Sequence, residues 1–420
     1  MAGTRGGRSG AAAYNRPAMS IYLDHAATTP LRREALEAML PYLTEEFGNP
    51  SSAHAFGRRA RAALDEAHEK VAARLGAAPR EIVFTSGGTE AINLAIKGVA
   101  EMYREKGNHI VTTAIEQRAS MDVARRLDRQ GLEVTYVPVG PDGLVDPEAL
   151  RKAITDKTIL ISVMFANNEI GTIQDIAAVG RLAKEKGVIF HTDATQAVGK
   201  VPVDVEAMGI DLLSCTAHLI YGPKGVGALY VRRKGPRVRI APLIDGGGQE
   251  RGMRSGTLPV PLIVGFGRAA EICGEVMKEE GARLARLRDR LQEMILSDVE
   301  EAYLNGHPDR RLPHNLNISF AYVEGESVLM GLNKESALSS GSACTSATLE
   351  PSYVIGALGA SAELAHSSIR FSLHRFTTEE EVEYVGKRTI EVVKRLRDMS
   401  PLYELAKEGV DIKSIHWKAE

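Results

Sequence analysis

The sequence predicts an α/β protein in which a large domain with a mostly parallel sheet is followed by a smaller α+β domain. Between residues 33 and 276, short apolar runs alternate with amphipathic stretches, as is typical of strands and helices around a parallel sheet. From about residue 277 the pattern changes to long charged helices and shorter strands. A chain of 420 residues also exceeds the size at which one hydrophobic core stops growing.

The elements of the large domain follow from its apolar runs. Buried strands are predicted at 81–85, 109–113, 134–138, 158–164, 188–192 and 227–231. Amphipathic stretches predict helices between them, including 89–105 and 177–186. In such a sheet, the loops at the carboxyl ends of the strands are expected to hold the functional residues.

The second part of the chain has a different element pattern. Charged helices are predicted at 279–296 and 378–399, and strands near 315–322 and 367–373. The predicted organisation is therefore a disordered tail, a large domain, and a small domain assembled from two segments and carrying a cysteine loop. The predicted boundaries are 1–20 for the tail, 33–276 for the large domain, 21–32 with 277–420 for the small domain, and 338–347 for the loop.

Composition and charge exclude several classes of function. A net charge of −2 gives no electrostatic basis for binding nucleic acid, and no stretch is long and apolar enough to span a membrane. Three cysteines without CxxC spacing predict a reducing compartment, so we expect a cytoplasmic protein. Residues 1–18 carry no acid; they are expected to be a tail, and the alternative, a transit segment, predicts a mitochondrial protein.

Several motifs follow predicted strands and carry groups that a phosphorylated cofactor needs. Gly88 and Thr89, in Thr-Ser-Gly-Gly-Thr-Glu, open a helix and predict an anion site; a plain capped turn is the alternative. Asp193, after the 188–192 strand, either holds a protonated ring nitrogen or caps a helix. Residues 167–171 supply amides, and residues 246–257 supply further donors for a phosphate.

One cysteine differs from the other two in its surroundings. Cys344 lies in Ser-Ser-Gly-Ser-Ala-Cys-Thr-Ser, residues 339–346, and a cysteine among serines and glycines is expected to be exposed and reactive. Cys215, beside Thr216, is expected to be a small core residue.

Taken together and in this order, the motifs resemble those of the cysteine desulfurases of the IscS/NifS type, within the class V aminotransferase fold. The resemblance runs from Ile-Tyr-Leu-Asp-His-Ala-Ala-Thr-Thr-Pro at residue 21 to Asp-Ile-Lys-Ser-Ile-His-Trp at 411–417. It implies a pyridoxal 5′-phosphate (PLP)-dependent transferase of fold type I with a seven-stranded sheet. The tail and the cysteine loop are similar to those of the branch that supplies sulfur for iron–sulfur clusters.

The resemblance also implies a role for each matching residue. Gly88, Thr89, Thr216 and His218 would bind the cofactor phosphate together with Thr257 of a second copy, and the protein would be a homodimer. Asp193 would pair with the pyridine nitrogen, while Asn168 and Gln196 would bond the ring oxygen. Asn49 and Arg370 would bind the carboxylate of L-cysteine. Cys344 would take the sulfur as a persulfide, leaving L-alanine.

The partners implied are an iron–sulfur scaffold protein and other sulfur acceptors, which would meet Cys344 and the C-terminal tail. No metal site is predicted, apart from Cys344 as a transient iron–sulfur ligand. The catalytic positions implied are Cys344, His218 and Gln117.

Three positions depart from the family pattern. Leu219 stands where the family has its Schiff-base lysine, Gln117 where it has the ring-stacking histidine, and His374 where it has a glycine. A leucine side chain cannot form an imine or move a proton, and general acid–base catalysis contributes roughly 10²- to 10⁴-fold per group. Lys224 is expected to be structural, and His374 replaces the lost imidazole only if it faces the pocket. Cofactor binding is therefore expected to be non-covalent or weak.

Three functions follow from this pattern, one of which is a different reaction on non-covalent PLP. The first is a cysteine desulfurase with an altered PLP site. The alternative is a catalytically impaired scaffold or persulfide-relay homologue, in which Cys344 receives sulfur from another enzyme.

Overall fold

The computed structural model describes residues 21–340 and 351–409. Its strands are β1 (Ile21–Tyr22), β2 (Ile82–Thr85), β3 (His109–Thr113), β4 (Glu133–Val137), β5 (Thr158–Ser162), β6 (Ile189–Asp193), β7 (Leu212–Thr216), β8 (Gly227–Val231), β9 (Ala302–Leu304), β10 (Asn315–Phe320), β11 (Ser336–Ala337), β12 (Ser339–Ser340) and β13 (Ser368–Ser372).

The helices alternate with these strands along the chain. They are α1 (Arg33–Thr44), α2 (Ala55–Leu75), α3 (Gly88–Met102), α4 (Arg118–Arg129), α5 (Pro147–Ala153), α6 (Ile176–Lys186), α7 (Val260–Asp298), α8 (Gly325–Leu332), α9 (Tyr353–Ala357), α10 (Ala362–His366), α11 (Glu379–Asp398) and α12 (Pro401–Lys407). Among the helices of the described residues, none combines the length and hydrophobicity needed to cross a membrane.

The large sheet has seven strands in the order β2-β8-β7-β6-β5-β3-β4. The five strands from β7 to β4 are parallel to their neighbours, while β8 is antiparallel to both β2 and β7. The predicted α/β class with a mostly parallel, seven-stranded sheet is therefore confirmed. All six predicted strands are present within one or two residues at each end, but the prediction missed β7.

Helix α6 illustrates how local sequence sets the ends of these elements. The Asp175 side chain accepts a hydrogen bond from the Ala178 N–H at 2.9 Å, which satisfies a free amide of the first turn. Gly187 follows the last turn with φ of 66°, a left-handed conformation that glycine adopts without steric cost. The helix therefore runs one residue longer at its start than the predicted 177–186.

The small sheet has the order β12-β13-β10-β9, with every neighbouring pair antiparallel. It packs on α7, α8 and α11 through a second apolar core that includes Leu291, Phe320 and Phe371. Strand β13 lies inside this sheet, so a side chain on it has neighbours from two strands.

Helix α7 connects the two cores. Its first half packs in the core of the large sheet through Ile263, Phe266 and Cys273, and its second half packs in the small core through Leu287 and Ile295. The predicted helix 279–296 is the second half of this single element. The predicted domain boundary at 276/277 falls inside α7, and the division into two domains stays a prediction.

Candidate active site

A cavity of about 280 Å³ opens at the carboxyl ends of β5, β6 and β7, next to the start of α3. This is where an open α/β sheet is expected to place a ligand site. Eight of the residues predicted from the sequence line the cavity: Gly88, Thr89, Gln117, Asn168, Gln196, Thr216, His218 and Arg370. Leu219 lines it as well.

The start of α3 forms one end of the cavity. A Cβ on Gly88 would lie 2.7 Å from Cγ2 of Thr195, so this position accepts only glycine without a shift of its neighbour. The first N–H groups of an α-helix lack partners within the helix and carry partial positive charge. On the facing strand, the buried Oγ1 of Thr216 has no hydrogen-bond partner. These groups suit a phosphate.

His218 lies beside this end of the cavity. Its Nδ1 is 3.3 Å from Oγ1 of Thr28. Burial, followed by the positive charges of Lys224 and Lys200, lowers the pKa of His218 below its ordinary value. The imidazole is therefore neutral at neutral pH and can donate one hydrogen bond to an anion.

Asp193 ends β6 next to two cavity residues, Thr195 and Gln196, although it does not itself line the space. Its Oδ1 accepts from the Thr195 N–H at 2.9 Å, while its buried Oδ2 has no partner. Burial raises the pKa of this carboxyl. An unpartnered carboxylate oxygen needs a donor or a positive charge, and a protonated pyridine nitrogen supplies both.

Gln196 presents the same kind of incomplete pairing. Its Nε2 donates to the carbonyl of Ala26 at 2.9 Å, and its buried Oε1 has no partner. Both interpretations of Asp193 are therefore compatible with the geometry: one oxygen caps the following turn and the other is available to a ligand.

Arg370, on β13, also lines the cavity. Its Nη1 donates to the carbonyl of Asn168 at 2.9 Å and its Nη2 donates to Oδ1 of Asp24 at 2.7 Å. The Nε is buried without a partner. A guanidinium in this position can bind a carboxylate.

Part of the cavity wall is apolar at the positions where the resemblance implies chemistry. Leu219 is 4% exposed and lies on a short 3₁₀ turn after β7, and Ile92 also lines the cavity. Gln117 caps α4, with its Oε1 accepting from the Ala119 N–H at 3.0 Å. Of the residues that the structure describes, no lysine lines the cavity.

Four residues named from the sequence lie away from the cavity. Thr257 and Asn49 are exposed, and Oδ1 of Asn49 accepts from the Ser51 N–H at 2.9 Å. His374 stacks on His25 with ring centroids 4.0 Å apart and does not face the cavity, and Lys224 is exposed. The conditional role of His374 as a replacement imidazole is therefore not supported. Cys344 lies outside the described residues.

The cavity wall includes groups that the sequence reasoning missed. Glu169 and Tyr353 line it, and Glu116 is fully buried beside it. Burial raises the pKa of Glu169 to about 7 and that of Glu116 to about 8. Both carboxyls follow strands, in Ile-Glu-Gln and Asn-Asn-Glu, and that position was the only signal available from the sequence.

Comparisons with known proteins agree with this geometry. Residues 21–385 match the model of the family "Aminotransferase class-V". The chain is 54% identical over 404 residues to "Cysteine desulfurase IscS" of Rickettsia bellii, covering 96% of this chain and 98% of that protein. The chain belongs to the class V aminotransferase family, among the IscS/NifS-type cysteine desulfurases.

Two further relatives support this membership. "Cysteine desulfurase IscS" of Neisseria meningitidis is 55% identical over 400 residues, covering 95% of this chain and 98% of that protein. A solved structure titled "NIFS-LIKE PROTEIN" superposes with a TM-score of 0.83 at 39% identity, covering 90% of this chain and all of that one. The predicted fold class, the PLP-dependent family and cysteine desulfurase function are thereby confirmed, and the impaired alternative is not favoured.

The described residues suit both the phosphate and the ring of PLP. The start of α3 and Thr216 suit its phosphate, and Asp193 and Gln196 have unpartnered oxygens available to its ring. They do not supply the nitrogen for a covalent bond, because Leu219 has none. The fit of this cavity is therefore to a cofactor held without a covalent link to the chain.

Proposed function

We propose that this chain binds PLP non-covalently in the cavity and uses it to remove sulfur from L-cysteine, with Cys344 as the sulfur acceptor. The observation that carries this proposal is the set of buried, unpartnered oxygens of Asp193, Gln196 and Thr216 around one cavity. Each such atom costs free energy unless a ligand completes its hydrogen bonds. PLP has complementary groups for all three.

Each residue in the proposed site has a defined task. Gly88, Thr89, Thr216 and His218 bind the phosphate, and the partial positive charge of the α3 start stabilises its negative charge. Asp193 keeps the pyridine nitrogen protonated. Asn168 and Gln196 orient the ring through its oxygen. When bound, PLP supplies an aldehyde that reacts with the amino group of the substrate and a ring that withdraws electrons from it.

Arg370 binds the carboxylate of L-cysteine in this proposal and so fixes which bonds of the substrate lie near the ring. The thiolate of Cys344 then attacks the substrate sulfur, and the carbon–sulfur bond breaks, leaving its electrons with the carbon fragment that becomes L-alanine after protonation. The new sulfur–sulfur bond is a persulfide on Cys344. Gln117 and Leu219 contribute no acid or base, so proton transfers depend on His218 or on water.

The decisive experiment tests how the cofactor is held. We expect the purified protein, incubated with PLP, to show visible absorbance that dialysis removes, and borohydride to fix no cofactor to a lysine. With L-cysteine and a reductant, sulfide and L-alanine should appear in equal amounts. The Cys344→Ser variant should bind PLP equally and lose this release.

Two outcomes would contradict the proposal. A borohydride-stable adduct on Lys224 or on the half-buried Lys200 would show that another amine replaces the missing one. Absence of both absorbance and L-alanine would favour the persulfide-relay alternative. That alternative would then be tested by mixing the protein with an active desulfurase and measuring persulfide on Cys344.

The proposal includes a homodimer in which Thr257 of each copy completes the phosphate site of the other. Two observations support it: Thr257 is exposed and away from the cavity of its own chain, and α1 exposes an apolar face. On that face, Leu36, Leu40 and Leu43 are 39%, 49% and 55% exposed. Light scattering should give the mass of two chains, and Thr257→Ala should weaken PLP binding without changing that mass.

The proposed setting is a cytoplasmic protein whose large and small domains together hold the cofactor. Sulfur from Cys344 would pass to an iron–sulfur scaffold protein that also contacts the C-terminal residues 411–417. Deleting 411–417 should leave sulfide release from L-cysteine unchanged and slow transfer to a scaffold protein. Asn49 is proposed to reach a substrate carboxylate only across the dimer, because within its own chain it does not line the cavity that Arg370 lines.

A further inference from the structure

Arg370 is held by a carboxylate to which the sequence analysis gave no role. Oδ1 of Asp24 accepts from Nη2 of Arg370 at 2.7 Å, and the carbonyl of Asn168 accepts from Nη1 at 2.9 Å. The Arg370 side chain is 3% exposed and that of Asp24 is 18% exposed. Arg370 lines the cavity and Asp24 does not, so Asp24 reaches a ligand only through Arg370.

The same oxygen of Asp24 also accepts from Oγ of Ser339 at 3.0 Å. Strand pairing explains why the three side chains meet. In the β12–β13 ladder Ser339 lies directly opposite Arg370, and Asp24 forms a bridge to Ser372 of the same strand β13. Three segments that are far apart in the sequence thus bring their side chains to one carboxylate oxygen. Ser339 lies five residues before Cys344 along the chain.

We propose that Asp24 is a positioning residue, which orients Arg370 for a substrate carboxylate and links that guanidinium to Ser339. This inference rests on the proposed function, in which Arg370 binds the carboxylate. A long side chain loses rotamer freedom when it binds, so a side chain already held by two hydrogen bonds binds at lower cost. Asp24 also forms an ion pair with the buried guanidinium of Arg370, and breaking a buried pair is costly.

The positioning role is tested with two stable conjugates that need no lysine. N-(5′-phosphopyridoxyl)-L-alanine carries a carboxylate, and N-(5′-phosphopyridoxyl)ethylamine lacks it. The Kd of the ethylamine conjugate divided by the Kd of the alanine conjugate isolates the contribution of the carboxylate. We expect Asp24→Asn to reduce this ratio about tenfold, the size of one charged hydrogen bond. The Kd of the ethylamine conjugate should stay within about twofold, which a general structural defect would not allow.

Matched variants separate this inference from the function on which it rests. Asp24→Glu keeps the charge and should restore part of the ratio, and Asp65→Asn, at a surface pair with Arg61, should leave it unchanged. Arg370→Ala should abolish the carboxylate contribution. If Arg370→Ala has no effect, both the proposed substrate clamp and the role of Asp24 are overturned. If Arg370→Ala abolishes the contribution but Asp24→Asn preserves or increases it, only the positioning role is overturned.

The link to Ser339 has its own measurement. Hydrogen exchange of the backbone amides at 336–340 should slow several-fold more with the alanine conjugate than with the ethylamine conjugate. This difference should vanish in Ser339→Ala, while the Kd ratio of that variant stays close to that of the native chain. Persistence of the difference in Ser339→Ala would overturn the link and leave the positioning of Arg370 intact.

Discussion

The two halves of the cavity differ in how much they can do for a ligand. The half formed by α3, Gln196 and Thr216, with Asp193 next to it along the chain, presents polar atoms, three of them buried and without partners. The half formed by Leu219 and Ile92 is apolar, and Gln117 uses its side-chain oxygen to cap a helix. Binding a cofactor and reacting through it therefore depend on separate residues, and a chain can keep one set while changing the other.

The largest change in turnover is expected when an amine is placed in the apolar half of the cavity. Leu219 lines the cavity, so the side chain of a Leu219→Lys variant starts from the same wall and can reach a bound aldehyde. We expect borohydride to fix PLP on that lysine, and sulfide release from L-cysteine to rise by roughly 10²- to 10⁴-fold, the contribution of one acid–base group. Leu219→Met, which adds length without nitrogen, is the control. Equal rates in native chain and Leu219→Lys would show that the apolar half does not limit turnover.

Changing the polar half should affect binding before rate. Asp193→Asn keeps the size of the side chain and the bond from the Thr195 N–H, but it removes the carboxylate that is proposed to pair with the ring nitrogen. We expect PLP to bind about 10- to 100-fold more weakly, since a hydrogen bond to a charged group contributes about 1.5–3 kcal/mol. Fluorescence titration with PLP measures this change. Unaltered affinity would contradict the assignment of Asp193 to the ring nitrogen.

The buried carboxyl of Glu116 should make the stability of the folded chain depend on pH. Its pKa rises from 4.5 to about 8, chiefly because of burial, so the folded chain keeps a proton that the unfolded chain releases above pH 4.5. Stability is then lost as pH rises between these values. Relative to the native chain, Glu116→Gln should gain about 2 kcal/mol of unfolding free energy between pH 6 and pH 8. Urea unfolding at both pH values checks this. Parallel pH profiles would show that Glu116 is charged when folded.

The smallest expected effect concerns Gln117. Gln117→His exchanges one capping acceptor for another, and His54 already caps α2 in this chain, with its Nδ1 accepting from the Gly57 N–H. We expect the free energy of unfolding to change by no more than about 1 kcal/mol, the usual contribution of a helix-capping side chain. Sulfide release should increase only when Leu219→Lys is also present. An increase from Gln117→His alone would indicate that the histidine works without the lysine.

Features that depend on neighbouring residues in the sequence could be predicted, whereas features that depend on distant residues could not. Gly88 and Thr89 begin α3 just after β2, and Asp193 ends β6, so a local motif was enough to predict them as candidates. Strand β7 was missed because Ser214, Cys215 and Thr216 interrupt its apolar pattern, although all are buried.

Other parts of the site depend on contacts that sequence spacing does not reveal. The bond between Asp24 and Arg370 joins residues 346 positions apart. The raised pKa of Glu116 and that of Glu169 arise from burial in the folded chain. The family resemblance predicted Arg370 as a substrate ligand but gave no role to Asp24, whose carboxylate holds it.

The length of helix α7 determines how the two cores are connected. Its 39 residues extend about 58 Å at 1.5 Å per residue, and both cores pack on it. Between Cys273 and Leu284 no residue of the helix is buried, and this span includes Gly274 and Gly281, whose lack of side chains lowers the stiffness of a helix. Because this one helix packs in both cores, a change of its direction within the span would tilt one core relative to the other.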